Sequence, residues 1–210
     1  MHTLLEGLDF FCHCFLGPTP EFCETLLSKP AQEMFERLAE LLGDAARPEI
    51  ELLREEVSEL ADTTDLFDAL STTYIRLFVS TLGGVPAPLY QSCYESDGGS
   101  LMGSSAQAMQ ERLERCGLSV SLDAGEPPDH LPIQLEYLFF LLDTGWREED
   151  SARLEEAASF VEASLLPWMR RVSGRIDAAG EAVFYPSAAA LLCRLLERIM
   201  HGDGGGDSSI

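Results

Sequence analysis

The stretch that most constrains this chain is Leu131 to Leu142, LPIQLEYLFFLL. The run is twelve residues long and is interrupted only by Gln134 and Glu136. It shows no period-two alternation and no polar face, so it predicts a central helix with protein packed on every side. It is too short for a bilayer span, which needs about 18 apolar residues or more. A central helix requires other helices to surround it. Glu136 inside the run poses its own problem, because a buried carboxylate is costly unless it is paired or hydrogen-bonded. Two readings stay open for it: a buried pair with an arginine such as Arg76 in the apolar YIRLF, or a contact to a ligand.

The rest of the chain supplies those helices. Leu4–Phe15, Pro20–Leu27 and Ala31–Leu42 are punctuated by Pro18, Pro30 and Gly43. Pro48–Leu60 follows, with proline suited to a first turn. Asp65–Ser80 carries Phe67, Leu70, Tyr74, Leu77 and Phe78 at helical spacing, with Thr64 as its expected N-cap. Ser105–Cys116, His130–Thr144, Glu148–Val172 (with Pro167 its candidate break) and Phe184–Met200 complete the set. No alternating pattern exceeds Leu118–Leu122. The fold class is all-α, a single-domain bundle over residues 1–201, with a Gly/Asp/Ser tail at 202–210 expected to be disordered. Between Gly83 and Gly103, glycines and prolines break regular structure, yet Leu89, Tyr90, Tyr94, Leu101 and Met102 lie there too. A loop of about 20 residues in a compact domain is uncommon and often functional.

Charge narrows the partners. The chain has 36 acids against 14 bases, a net charge of −22. Such a surface repels phosphate, so neither nucleic acid nor an anionic membrane is expected to bind, whereas a basic peptide is attracted. The apolar N-terminus has no basic leading region and carries Glu6 and Asp9, which argues against a signal peptide. A cytoplasmic location is expected, with Cys12, Cys14, Cys23, Cys93, Cys116 and Cys193 as free thiols. No metal is expected at Cys12-His13-Cys14, because side chains two apart on a helix diverge by about 200°. No phosphate-loop, dinucleotide or nucleophile-elbow motif occurs, and no cofactor is expected.

Asp129-His130 stands at the mouth of the central helix. Asp129 is expected to be the N-cap and His130 the first helical residue, with Pro132 still inside the first turn. Neighbours on a helix do not face each other, so Asp129 cannot orient His130 as a triad acid orients its base. Capping, partner binding and acid-base catalysis remain the three readings of this pair.

YIRLF (74–78), PAPLYQSCY (86–94), LMG (101–103), EPPDHLPIQLEYLFFL (126–141), LLPWMRRV (165–172) and FYPSAAALL (184–192) occur in this order. Together they resemble the TorD/DmsD/NarJ family of maturation chaperones for molybdenum-cofactor oxidoreductases. The resemblance covers roughly residues 65–200, and its most specific part is PDH-x-x-x-x-LE-[FY] after PLY-x-S-x-Y. Pro132 inside that motif departs from the family pattern. The resemblance implies a non-enzymatic helical chaperone, monomer or homodimer. Such a chaperone would hold the precursor of a molybdopterin-dependent oxidoreductase, through a twin-arginine signal peptide or the enzyme body, until cofactor is inserted. Family motif positions fall at Tyr74, Leu77, Phe78, Pro88, Tyr90, Ser92, Tyr94, Asp129, His130 and Glu136. Together with Leu89 they are the expected partner-binding residues. Two alternatives stand beside this reading: an assembly chaperone of the nitrate-reductase type with a partner that is not exported, and an enzyme using Asp129 and His130.

Overall fold

The computed structural model describes residues 1–60, 62–95, 101–120, 125–180 and 182–201. Among these residues the fold is helical throughout, and no strand forms. The helices are α1 (His2–Leu16), α2 (Pro20–Leu26), α3 (Lys29–Leu42), α4 (Arg47–Glu59), α5 (Thr63–Tyr74), α6 (Ser104–Arg115), α7 (Leu131–Arg147), α8 (Ser151–Phe160), α9 (Leu166–Ala179) and α10 (Phe184–His201). The 202–210 tail and Ser121–Ala124 lie outside the described residues.

Local chemistry sets the boundaries. Thr19 and Ser28 cap α2 and α3 through Phe22 N–H at 3.1 Å and Ala31 N–H at 3.4 Å, each with proline in the first turn. The cap of α5 is Asp62, whose carboxylate accepts from Thr64 N–H at 2.8 Å, in place of the expected Thr64. Asp150 caps α8 in the same way. Two helices end in wider π-helical turns, Ile75–Val79 after α5 and Val161–Leu165 before α9. The second has a clear cause. Pro167 has no N–H to offer to the preceding turn, and the ladder widens just upstream of it. The expected break thus falls ahead of Pro167, and the helix then continues to Ala179.

The centre of the bundle is α7, with α1 and α8 packed along it, while α10 packs on α9, α4 and α1. Leu131, Leu135, Leu138 and Leu141 are buried as the apolar run requires. The run is not covered on every side, however. Ile133, Phe139 and Phe140 are only half-buried, and Glu136 is exposed. This corrects the expectation of a buried Glu136, which therefore needs no internal ion pair.

Candidate functional site

The loop between α5 and α6 returns to the start of α7 and pairs with it. Leu131 N–H donates to Leu89 O at 2.9 Å, and Gln91 N–H to Asp129 O at 3.2 Å, which makes an antiparallel bridge between Tyr90 and His130. Their rings stack with centroids 4.9 Å apart. Asp129 has no exposed surface at all. Its Oδ2 accepts from Ser92 N–H at 2.7 Å and from Ser105 Oγ at 3.0 Å. Asp129 therefore does not cap α7, contrary to the expectation from sequence. The extended backbone of His130 makes that residue the cap position, and the Asp129 carboxylate turns away to tie the loop to α6. Gln134 extends this polar knot. Its Nε2 donates to Asp129 O at 3.0 Å and to Gln91 Oε1 at 3.1 Å, and its Oε1 accepts from Trp168 Nε1–H at 3.3 Å. Glu95 accepts Ser104 N–H at 3.1 Å and Ser105 N–H at 2.6 Å at the start of α6. Burial works against the charge of Glu95, but these bonds outweigh it and hold its carboxyl below the usual range.

Leu89, Tyr90 and His130, which the knot and the bridge hold in place, line an open cleft of about 790 Å³. Tyr74 and Phe78 form one wall, edge to face at 5.1 Å, with the Tyr74 hydroxyl donating to Phe15 O at 3.0 Å. Pro88, Leu89, Tyr90 and His130 line the cleft too, as do the exposed side chains of Leu16, Val79 and Leu101. Among the described residues, the charged side chains lining the cleft are Glu126 and Arg175; Arg175 also lines a neighbouring hollow with Arg76 and Ala179, and Glu126 one along α7, which sets the two charges toward different ends. Glu126 Oε2 accepts from the Tyr90 hydroxyl at 2.7 Å. The Arg175 guanidinium lies 4.5 Å over the Tyr94 ring, a cation–π arrangement. Burial, with Glu126 adding to it, pushes the Tyr74 hydroxyl up to about 12. Burial lowers the His130 pKa despite Glu126 and Asp129, and its Nδ1 is buried with no hydrogen-bond partner among the described residues. At neutral pH the ring is an uncharged wall.

The expected residues divide into three groups. Tyr74, Phe78, Pro88, Leu89, Tyr90 and His130 meet in the cleft. Ser92, Tyr94 and Asp129 are buried beneath it, and Leu77 is in the core, where its carbonyl accepts Ala87 N–H at 3.0 Å. Tyr94 packs against Trp168, ring centroids 5.8 Å apart, and its carbonyl accepts from Arg171. Glu136 is exposed on the outer side of α7, where burial of its surroundings raises its pKa. Cys12 and Cys14 are buried, and burial pushes the Cys12 thiol up to about 12. Sequence reasoning missed Glu126, Leu16, Val79 and Arg175. Only Glu126 had a signal, an acid beside Pro127-Pro128 at the head of the motif.

The cleft is apolar and aromatic-walled, with one acid among its described lining residues, and the fold around it is a helical bundle. A family model described as Nitrate reductase delta subunit matches residues 24–173. The chain is 33% identical over 156 residues to the chaperone protein TorD of Vibrio vulnificus, covering 71% of each chain. It is 31% identical over 157 residues to TorD of Vibrio cholerae, covering 73% of this chain and 70% of that one. A crystal structure from Archaeoglobus fulgidus, described as a redox enzyme maturation protein, superposes with a TM-score of 0.51 at 23% identity, over 89% of this chain and 90% of that one. The protein belongs to the nitrate reductase delta subunit family, the family of the TorD chaperones. It is a chaperone of that family and not an enzyme.

Proposed function

We propose that this chaperone acts in the cytoplasm on the precursor of a molybdopterin-dependent oxidoreductase, binding its twin-arginine leader in the cleft. Binding delays export while cofactor is inserted. The observation that carries the reading is the cleft itself, with aromatic and aliphatic walls and a carboxylate at one side. A twin-arginine leader has the complementary make-up, a basic head followed by an apolar run. Aromatic side chains with a polar hydroxyl, such as Tyr74 and Tyr90, are the residue type that anchors peptides. The two charges give the cleft a direction. Glu126 draws the basic head to its side, and Arg175 repels it from the other. The leader becomes ordered on binding, so its affinity is moderate for the area covered. No helix among the described residues is long and apolar enough to cross a membrane, which fits this location.

The description of the matching family favours a second reading, a chaperone for a nitrate-reductase-type subunit that is not exported. Calorimetric titration with a synthetic twin-arginine leader, from a molybdoenzyme encoded beside this gene, separates the two. The first reading expects micromolar binding that weakens when both arginines become alanine. Absence of binding to folded protein overturns it in favour of the second.

A further inference from the structure

The cleft does not end at Glu126. A second groove of about 350 Å³ begins there and runs along the outer side of α7. Leu16, Glu126 and His130 line both, so the two hollows meet at a waist formed by these three side chains. Beyond the waist, the groove is floored by Ile133, Glu136 and Phe140. These positions are three or four apart and form one stripe on a helix. Leu113, Leu118 and Val120 line the groove with them. Among the described residues, Ile133 and Phe140 stay half-buried and Glu136 exposed, so a stretch with no polar face in sequence still reaches the surface. Leaving Ile133 and Phe140 half-exposed beside an exposed carboxylate gives no gain in folding stability, since the same apolar area would contribute if covered. The charged residues lining the groove, Glu126 and Glu136, are both acidic. Arg153 lies 5.5 Å over the Phe140 ring and is engaged with Glu148 and Asp150.

We infer that this second groove binds the segment on the amino side of the basic pair in the leader. This rests on the leader-binding reading above and extends it. The direction of the cleft carries the argument. The apolar run of the leader enters the larger hollow toward Arg175, so the basic pair lies at the waist beside Glu126. The chain before the pair then has one continuous path, along Ile133 and Phe140 toward Glu136. The occupant is a short segment combining an apolar side chain with a positive charge. The acidic lining disfavours an acidic segment by like-charge repulsion.

Two synthetic leaders test this, one complete and one beginning at the basic pair, each titrated against three proteins: unsubstituted, Ile133→Gln and Glu136→Gln. The complete leader is expected to bind the unsubstituted protein about tenfold more tightly than the truncated one, roughly the contribution of one well-buried anchor. Ile133→Gln, at a half-exposed position compatible with folding, removes the apolar contact without adding charge and is expected to reduce the complete leader to the truncated affinity and leave the truncated leader unchanged. Glu136→Gln is fully tolerable on the exposed face and is expected to give a smaller loss, about threefold, confined to the complete leader. Equal affinity of both leaders for the unsubstituted protein overturns the second groove and leaves the cleft reading intact. An equal loss for both leaders in the variants overturns it as well. Failure of both leaders to bind the unsubstituted protein overturns the leader reading itself.

Discussion

Asp129 and His130 are consecutive residues with opposite tasks. Asp129 has no exposed surface, and its carboxylate joins Ser92 to Ser105. His130 stacks on Tyr90 and faces the cleft. One belongs to a buried polar knot that sets the shape of the loop. The other belongs to an open apolar surface that this shape creates. The pairing of Leu89 and Gln91 with Leu131 and Asp129 turns the two side chains apart. The contrast teaches that a short motif need not be a single site. Its acid can hold the loop while a different acid, Glu126, lines the cleft.

The largest expected break of this contrast is Asp129→Ala. It leaves Ser92 N–H and Ser105 Oγ buried without their acceptor. Bonds to a charged group contribute about 1.5–3 kcal/mol each, so a loss of about 3 kcal/mol or more is expected in urea denaturation. A loss under about 1 kcal/mol would mean that the knot is not what holds the loop. On the open surface the pattern should invert. Val79→Asp, at an exposed position lining the cleft, should leave stability within about 0.5 kcal/mol and weaken leader binding about tenfold in calorimetry. Tyr90→Phe touches both regions, since it removes the bond to Glu126 and keeps the stack on His130. About 1 kcal/mol of stability and a few-fold loss of leader affinity are expected, read by the same two methods.

The smallest effect sharpens the comparison through pH. The folded pKa of His130 lies below the ordinary histidine value of 6.5, because burial disfavours the charged ring. As pH falls below about 6.5, the unfolded chain takes up a proton that the folded chain does not, so the contribution of this group to stability falls with pH through that window. Above it the contribution is constant. Denaturation midpoints measured from pH 8 to pH 5 should show a shallower decline for His130→Gln than for the unsubstituted protein.

Much of this arrangement was legible in the sequence. Helical spacing located the elements, and the apolar run Leu131–Leu142 identified the central helix. Tyr74, Phe78, Pro88, Leu89, Tyr90 and His130 were expected to bind and do line one cleft. What was not legible depends on tertiary placement. Whether Asp129 caps its own helix or reaches to Ser105 is decided by where α6 packs, which no local pattern records. Glu136 looks enclosed in sequence because its neighbours are apolar, yet the bundle leaves its stripe open. Leu16 and Arg175 come from opposite ends of the chain, and only the packed fold brings them to one cleft.

The central claim is that Glu126 receives the basic head of the leader while Asp129 serves the fold. A double-mutant cycle tests it most directly, titrating unsubstituted and Glu126→Gln proteins with the twin-arginine leader and with its double-alanine form. The account predicts about a tenfold loss on Glu126→Gln with the arginine leader and almost none with the alanine leader. An equal loss with both leaders, or no loss with either, would contradict it.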